Sequence, residues 1–312
     1  MFEENVSLSK YSNYKIGGPA RYFLLADNAS QITDAIAVAK KEKLPVFILG
    51  GGTNILFSDK GFNGLVIKPN LKAIKQQGNM VHVGAGASVA ELLEFTVEKK
   101  LSGFEWAGGL PGTVGGAIYG NAGAFGGETK DRLVDVMSLV TSNERPEIKL
   151  RANKDAQFSY RSSIFKENNA AGKQEVILSA LFKLEPGNQE KIKAAIEEKK
   201  QYRINRQPLE YPNIGSIFKN VDVKKLSKEV TKRFKEKIKL DPFPVLPTAV
   251  LNDAAGLKNT RCGDAMVSPK HPNFIVNMGH ATEADVKAVM AIVCSKIRSE
   301  FGVILEQEVI FV

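Results

Sequence analysis

Apolar and polar positions alternate along this chain in two rhythms, and each rhythm predicts a different element. After the Gly-Gly-Pro turn of NYKIGGPA (residues 13–20), ARYFLLA reads as a strand. Ser30 then reads as the cap of a helix with Ile32, Ala35, Ile36 and Ala39 at helical spacing. PVFILGGGTNILFSD (residues 45–59) is a buried-strand run interrupted by three glycines, and GFNGLVIKP and MVHVGAGAS predict two further strands. Ser88 with Glu91 forms a capping box for a helix that reaches about Lys100. From Val134 to Leu184 the pattern is mostly strand, in VDVMSLVT, EIKLRA and EVILSALFKLE, with FSYRSSIFK between the last two. Asn188 opens a charged helix to about Arg206 with Ile192, Ala195, Ile196 and Tyr202 on one face. A basic helical segment to Leu240 and the Pro-rich DPFPVLP follow. Thr282 and Asp285 cap a last helix carrying Val286, Val289, Met290, Val293 and Ile297, which ends at Gly302. VILEQEVIFV predicts a closing strand. There is no internal repeat, and the order of elements is α+β, without regular βαβ repetition.

Glycine changes this picture. The stretch from Gly108 to Glu128 holds nine glycines in 21 residues, the rest small or apolar apart from Asn121, Thr113 and a few others. Glycine at that density allows positive φ and close approach of the backbone to something else. The best candidate for that something is a large planar cofactor with a diphosphate, held by backbone N–H groups; the alternative is a set of tight turns with nothing bound. Gly50-Gly51-Gly52 and Gly84-Ala85-Gly86 each follow a strand as a Rossmann fingerprint does. In both, the third glycine is replaced, by Ile55 and Val89, and no acidic ribose partner is suitably placed. No GxxxxGK[ST] occurs.

Composition excludes several classes. A chain of 312 residues with 43% hydrophobic content is long enough for two domains with their own cores. No apolar run approaches the ~20 residues that span a bilayer. The polar N-terminal segment has no signal-peptide core, so the protein is expected in the cytoplasm, as a monomer and without a membrane partner. Cys262 and Cys294 have no metal-ligand spacing, and with three histidines a metal site is not expected. The net charge of +9 suits an anionic small molecule or nucleic acid. Outside the run from Val221 to Lys239 the cations are scattered and no nucleic-acid signature accompanies them, so no nucleic-acid partner is expected.

LGGGTNILFSD, GLPGTVGGAIYGNAGAFGGE, SYRSSIF, GSIFKN, VSPKHPNFIVN and LEQEV occur here in the order and spacing of the bacterial UDP-N-acetylenolpyruvoylglucosamine reductase family, which the chain resembles over nearly its whole length. The resemblance implies an FAD-binding domain of the PCMH (vanillyl-alcohol-oxidase) type at residues 1–187, a connecting helix at 188–206 and a smaller substrate-binding domain at 207–312. It implies FAD and NADPH as cofactors and a UDP-sugar substrate whose enolpyruvyl ether is reduced. An FAD-dependent sugar or alcohol oxidase on the same scaffold is the rival reading.

Residue by residue, the resemblance places Arg161 at the substrate carboxylate, Glu308 beside it, and Ser216 as proton donor to C2. On a strand Glu306 and Glu308 share a face, so spacing does not choose between them. Tyr160, Arg206, Lys219, Asn220 and His271 are implied substrate contacts. The implied flavin contacts are Gly50, Gly51, Gly52, Thr53 and Asn54, then Gly108, Pro111, Gly112, Thr113, Gly115, Gly116 and Ala117, and Asn121, Ala122 and Gly123. Ile16-Gly17-Gly18 is expected to support the same pocket. Two departures stand out. Residues 221–247 are a basic insertion, starting with Val221 where the family usually has Pro, and read either as a flap over the substrate diphosphate or as a decorated surface. Cys262 stands where Gly is usual. The short ENNAAGK after SYRSSIFK matches the family's shorter type, so no loop tyrosine is assigned over the substrate.

Overall fold

A computed structural model describes residues 2–141 and 146–312. The chain packs into two compact units that are interleaved in sequence. Unit 1 holds Ala20–Gly51 and Asn63–Arg203 with the N-terminal residues up to Val6; unit 2 holds Ser7–Pro19, Gly52–Phe62 and Ile204–Val312. The sequence reading drew contiguous domains; in the packing, two short N-terminal segments join the C-terminal part of the chain.

Unit 1 is built on two large sheets, with two further two-stranded pairs among its described residues, Gly123–Ala124 with Gly127–Glu128 and Leu101–Ser102 with Glu185–Pro186. The first orders β1 (Glu3–Ser7), β2 (Pro19–Ala26), β4 (Phe62–Pro69) and β3 (Val46–Ile48) as β1-β2-β4-β3, with β3 and β4 parallel. Helix α1 (Ala29–Lys41) buries Ile32, Ala35, Ile36 and Ala39 beside Leu65 and Ile67. Its cap is Asn28, whose side chain accepts from the Gln31 amide, and not Ser30, which lies inside the first turn. The amide oxygen of Asn28 reaches the third helical N–H from an extended backbone, the geometry that favours Asn at this position.

The second sheet is antiparallel throughout. It orders β5 (Ile74–Gln77), β6 (Met80–Gly84), β7 (Leu133–Val140), β8 (Glu147–Ala152) and β9 (Glu175–Lys183) as β8-β7-β9-β6-β5. Its core takes in Val81, Val83, Val136, Ala180 and Phe182 with Leu92 and Leu93 of α2 (Val89–Glu98), whose capping box at Ser88 and Glu91 is present as expected. The short α3 (Val114–Tyr119) adds Val114 and Ile118. Between β8 and β9 the FSYRSSIFK segment runs into α4 (Ile164–Ala170), capped by Ser163. Strand periodicity had concealed this helix, because its one deeply buried residue, Phe165, leaves no stripe to detect. Helix α5 (Gln189–Arg206) follows; its buried residues are Ile192 and Arg203, while Tyr202, expected on the apolar face, is exposed.

Unit 2 is built on α8 (Glu283–Phe301), capped by Thr282 and Asp285 and ended by Gly302 at φ 65°. It packs with α7 (Thr248–Ala254) and the antiparallel sheet β10 (Arg261–Cys262), β11 (Ala265–Val267) and β12 (Ile275–Asn277). Tyr14 and Leu56, from the N-terminal segments, are fully buried in the same core, with the Tyr14 hydroxyl donating to the Ile275 carbonyl at 2.7 Å. The closing strand is shorter than expected: Ile310–Phe311 pairs in parallel with Ile55–Leu56, and upstream of it Gln307 makes an isolated antiparallel bridge to Phe218. In the insertion, Val221–Asp222 pairs with Val245–Leu246, and α6 (Lys228–Arg233) leads to Phe234, which meets Phe301 edge-on at 5.7 Å. Val221, Val230, Phe234 and Leu246 lie in the unit's own core, so the insertion is docked through apolar contacts as well as charged ones.

Glu175 at the start of β9 ties the α4 segment down. Its carboxylate, 2% exposed, accepts from Ser138 Oγ (2.6 Å), Arg151 Nε (2.7 Å) and Asn168 Nδ2 (2.9 Å). Burial alone would raise its pKa. The hydrogen bonds from Arg151, Ser138 and Asn168 and the Arg151 charge outweigh burial and hold it below the usual carboxylate range. A carboxyl depressed in the folded state contributes stability above its unfolded pKa and loses it as pH falls through the folded one. Glu175→Gln is therefore expected to cost about 3–5 kcal/mol at neutral pH, the range for breaking a buried pair. Thermal unfolding across a pH series should show the gap to wild type narrowing below roughly pH 4.3.

Candidate active site

The glycine bends of unit 1 pack first against one another. A Cβ on Gly51 would lie 2.6 Å from the Gly112 α-carbon, and one on Gly115 would lie 2.9 Å from the Ala85 Cβ, so neither position admits a side chain. Backbone bonds hold the same seam: Gly115 N–H donates to Ala85 O (2.9 Å), Val114 to Ala87 O (2.8 Å) and Val89 to Gly112 O (3.0 Å). Two glycines are different. Around Gly116 the nearest atom to a Cβ is Thr113 Oγ1 at 3.4 Å, and around Gly120 it is the Gly116 carbonyl oxygen at 3.8 Å. The helix α3 thus presents a side-chain-poor surface on one side and a sealed seam on the other, and that open surface is what a flat cofactor requires. Thr113 caps α3, accepting from the Gly116 amide at 3.3 Å.

Not every expected flavin contact faces this surface. Gly108 is packed on α5, where a Cβ would meet the Ile196 carbonyl at 2.3 Å. Asn121 is fully buried at φ 42°, and its amide is spent within the protein: Nδ2 donates to Ser159 O (3.1 Å) and Oδ1 accepts from Lys130 N (3.3 Å). It binds the glycine stretch to the segment that carries Arg161.

Arg161 sits in a two-residue turn closed by hydrogen bonds between Ser159 and Ser162 (3.1 and 3.2 Å). Its φ of 57° is unusual for a side chain of this size, and such strain persists where surrounding structure enforces it, often at functional sites. Here Lys166 Nζ donates to its carbonyl (3.1 Å), Ser163 Oγ donates to Tyr119 O (2.7 Å), and the guanidinium donates to Gly123 O (3.0 Å) while lying 5.1 Å from the centre of the Tyr160 ring.

Arg203 was absent from the expected site, which had Arg206 instead. It is 8% exposed, its Nε donates to Gly108 O (2.9 Å), and its second terminal nitrogen is buried with no hydrogen-bond partner among the described residues. Burial, then the charge of Arg161, pushes its pKa down. The guanidinium also lies 5.3 Å from the Phe125 ring centre; Phe125, at φ 51°, is met edge-on by Tyr202 at 5.1 Å. The signal was present: Ile192, Ile196, Lys199 and Arg203 follow 4-3-4 spacing, so a charged residue continues the apolar stripe.

In unit 2 the bend that begins with Gly52, Thr53 and Asn54 is stitched to LEQEV. Asn54 Nδ2 donates to Glu308 O (3.2 Å) and Ile310 N to Asn54 O (3.0 Å). Glu308 N donates in turn to Ile217 O (2.9 Å), and Lys219 N to Glu306 O (2.8 Å), so LEQEV runs beside GSIFKN with Ser216 at its start. Gly215 precedes it at φ 83°. Asn273, missed by the sequence reading, brackets this strand: Oδ1 accepts from Phe218 N (3.3 Å) and Nδ2 donates to Phe218 O (2.8 Å). The Glu306 carboxylate is paired with Lys225 of the insertion and lies 3.5 Å from Lys219, and these lysines hold it below the usual carboxylate range. Asn220 Oδ1 accepts from Thr248 N (3.3 Å), and Arg206 is exposed. His271 is half-buried against Phe274 at 4.6 Å, with Nδ1 lacking a partner; burial pushes its pKa down to about 4, so it is neutral at pH 7.

Residues 207–312 match the model of the UDP-N-acetylenolpyruvoylglucosamine reductase C-terminal domain, and residues 20–145 match an FAD binding domain. The chain is 37% identical over 306 residues to the UDP-N-acetylenolpyruvoylglucosamine reductase of Caldanaerobacter subterraneus, covering 98% of this chain and 91% of the relative. It belongs to the UDP-N-acetylenolpyruvoylglucosamine reductase family. A Lactobacillus delbrueckii member is 36% identical, covering 98% of this chain and 94% of its own length. The crystal structure of the Thermus caldophilus reductase superposes with a TM-score of 0.77 at 26% identity, covering 100% of this chain and 99% of that one. Membership makes the protein an FAD-dependent oxidoreductase of α+β fold that also uses NADPH, and the glycine bends of unit 1 lie within the residues that match the FAD binding domain. No helix among the described residues is long and apolar enough to cross a membrane.

Asn121→Ala removes the bonds to the Ser159 carbonyl, which keeps the Ser162 amide as donor, and to the half-buried Lys130 amide. A lost hydrogen bond of this kind costs about 0.5–1.5 kcal/mol. The variant should melt at lower temperature and retain less FAD after gel filtration, read as the ratio of flavin to protein absorbance.

Proposed function

We propose that this protein is the cytoplasmic enzyme that reduces UDP-N-acetylglucosamine-enolpyruvate to UDP-N-acetylmuramate for peptidoglycan precursor synthesis. The observation that carries this reading is the pair of guanidiniums, Arg161 and the buried, incompletely bonded Arg203, beside the glycine stretch in the FAD-binding unit. Two arginines whose charges disfavour one another call for an anion, and a guanidinium fits a carboxylate bidentately. The enolpyruvyl carboxylate is that anion. Bound FAD, which the glycine bends around Gly50, Gly112 and Gly116 would hold, would supply the hydride-transfer chemistry between NADPH and C3 of the enolpyruvyl group.

The chain's own residues supply the rest. Arg161 and Arg203 hold the carboxylate and stabilise the charge that builds on it as C3 is reduced. Arg161, fixed at a left-handed φ by Lys166, Ser163 and Gly123, needs no reorganisation to do so. Ser216 Oγ delivers the proton to C2. A serine hydroxyl is a weak acid, so the alkoxide left behind requires nearby positive charge; Lys219, only loosely paired with Glu306 at 3.5 Å, and Arg206 provide it. Glu308, its backbone pinned between Ile217 and Asn54, is the carboxyl that unit 2 supplies to the reaction. The Tyr160 ring, its centre 5.1 Å from the Arg161 guanidinium carbon, supports that cation. Asn220, four residues after Ser216, contributes a further substrate contact, and Nδ1 of neutral His271, without a partner among the described residues, offers a hydrogen bond to an uncharged part of the UDP-sugar.

Ser216→Ala should separate the half-reactions in stopped flow. Flavin bleaching by NADPH is expected at the wild-type rate, while reoxidation by the enol ether slows by roughly 10²–10⁴-fold, the usual contribution of a general acid. Equal damage to both phases would remove Ser216 from the proton-transfer role.

A further inference from the structure

We propose that Lys68 is a cofactor-binding residue whose ammonium holds the diphosphate of FAD against the glycine bends of unit 1. Lys68 is next to last in β4, alongside β3, which leads directly into Gly50. Its Nζ donates to the Gly50 carbonyl at 2.6 Å, anchoring the strand end to the first bend. That bend is seated on the second glycine stretch, with the Gly50 α-carbon facing Thr113 Oγ1 and Gly51 against Gly112. The chain leaving Lys68 crosses the third bend: Gly84 N donates to Ala73 O (2.8 Å) and Gly86 N to Leu71 O (3.0 Å). Lys68 therefore stands where all three glycine bends of the unit are tied together.

Its chemistry asks for an anion there. An ammonium has three N–H donors, and the Gly50 carbonyl takes one. Lys68 is half-buried, and among the described residues no carboxylate lies within ion-pair distance of it. Burial first, then the neighbouring Lys72, disfavours its charged form. A partly desolvated cation beside another cation is an unfavourable arrangement unless an anion joins it. The isoalloxazine, ribityl and adenosine portions of FAD are uncharged at neutral pH; the diphosphate carries the negative charge. Residues 20–145, which match the FAD binding domain, contain Lys68, Lys72 and every bend named here. The inference rests on FAD binding by unit 1 and goes beyond it by assigning the charge that recognises the diphosphate.

The test uses the full chain stripped of FAD, with equilibrium affinity read from quenching of flavin fluorescence. Lys68→Met should weaken FAD binding at least ~10-fold, and Lys68→Arg should restore it to within ~3-fold, one decade corresponding to 1.4 kcal/mol. ADP, used as a competitor, should lose affinity in Lys68→Met as FAD does, whereas adenosine, which lacks phosphate, should not. Added salt should weaken FAD binding to wild type more steeply than to Lys68→Met. Wild-type affinity in Lys68→Met would overturn the proposal. So would equal losses in Lys68→Met and Lys68→Arg, or an adenosine loss matching that of ADP, because either would assign the effect to the shape of the Gly50 turn. Failure of wild type to bind FAD would overturn the cofactor reading itself along with this proposal.

Discussion

The structure of unit 1 depends on backbones that approach more closely than any side chain permits. Gly51 against Gly112 and Gly115 against Ala85 leave no room for a Cβ, and the hydrogen bonds along the seam require that spacing. The consequence is mechanical. Bends that would otherwise be separate loops become one rigid surface, with the open faces of Gly116 and Gly120 on its accessible side. A preformed surface loses little conformational freedom when a ligand settles on it, which is how a site built of weak main-chain contacts holds a large cofactor.

Around that surface, charge is left deliberately unbalanced. Arg203 is buried with one terminal nitrogen unpartnered, and Lys68 stands beside Lys72 with no carboxylate within ion-pair distance, both among the described residues. Elsewhere the same chain satisfies its ions fully: Glu175 receives Arg151, Ser138 and Asn168, and Glu306 receives two lysines. The contrast marks the incomplete cations as places where a ligand finishes the electrostatics. His271 follows another logic, since burial removes its charge and leaves an uncharged hydrogen-bonding group.

Much of this was legible in the sequence, for identifiable reasons. Strands of strict alternation and helices with explicit capping boxes, such as Ser88–Glu91 and Thr282–Asp285, announce themselves locally. The glycine stretch was equally visible, but sequence could not show that many of its glycines serve other backbones and only a few face outward. Arg203 was missed because an arginine on an apolar stripe reads as an interruption, and its burial is created by Gly108 and Phe125, about 80–95 residues away. Helix α4 was hidden by its short length, where the cap at Ser163 outweighs any periodicity. Asn121 and Asn273 do structural work through side-chain amides, and only the folded chain reveals their partners.

The pairing of Ile55–Leu56 with Ile310–Phe311 joins the two extremes of the polypeptide in one small ladder. During synthesis Ile55–Leu56 has no ladder partner until Ile310–Phe311 has been made, about 250 residues later, so unit 2 cannot close progressively in chain order. Asn54, which fastens Glu308, belongs to that waiting segment. Closure of unit 2 is thus a late event, and a nascent chain stalled before Ile310 would carry the rest of the unit with this ladder still open.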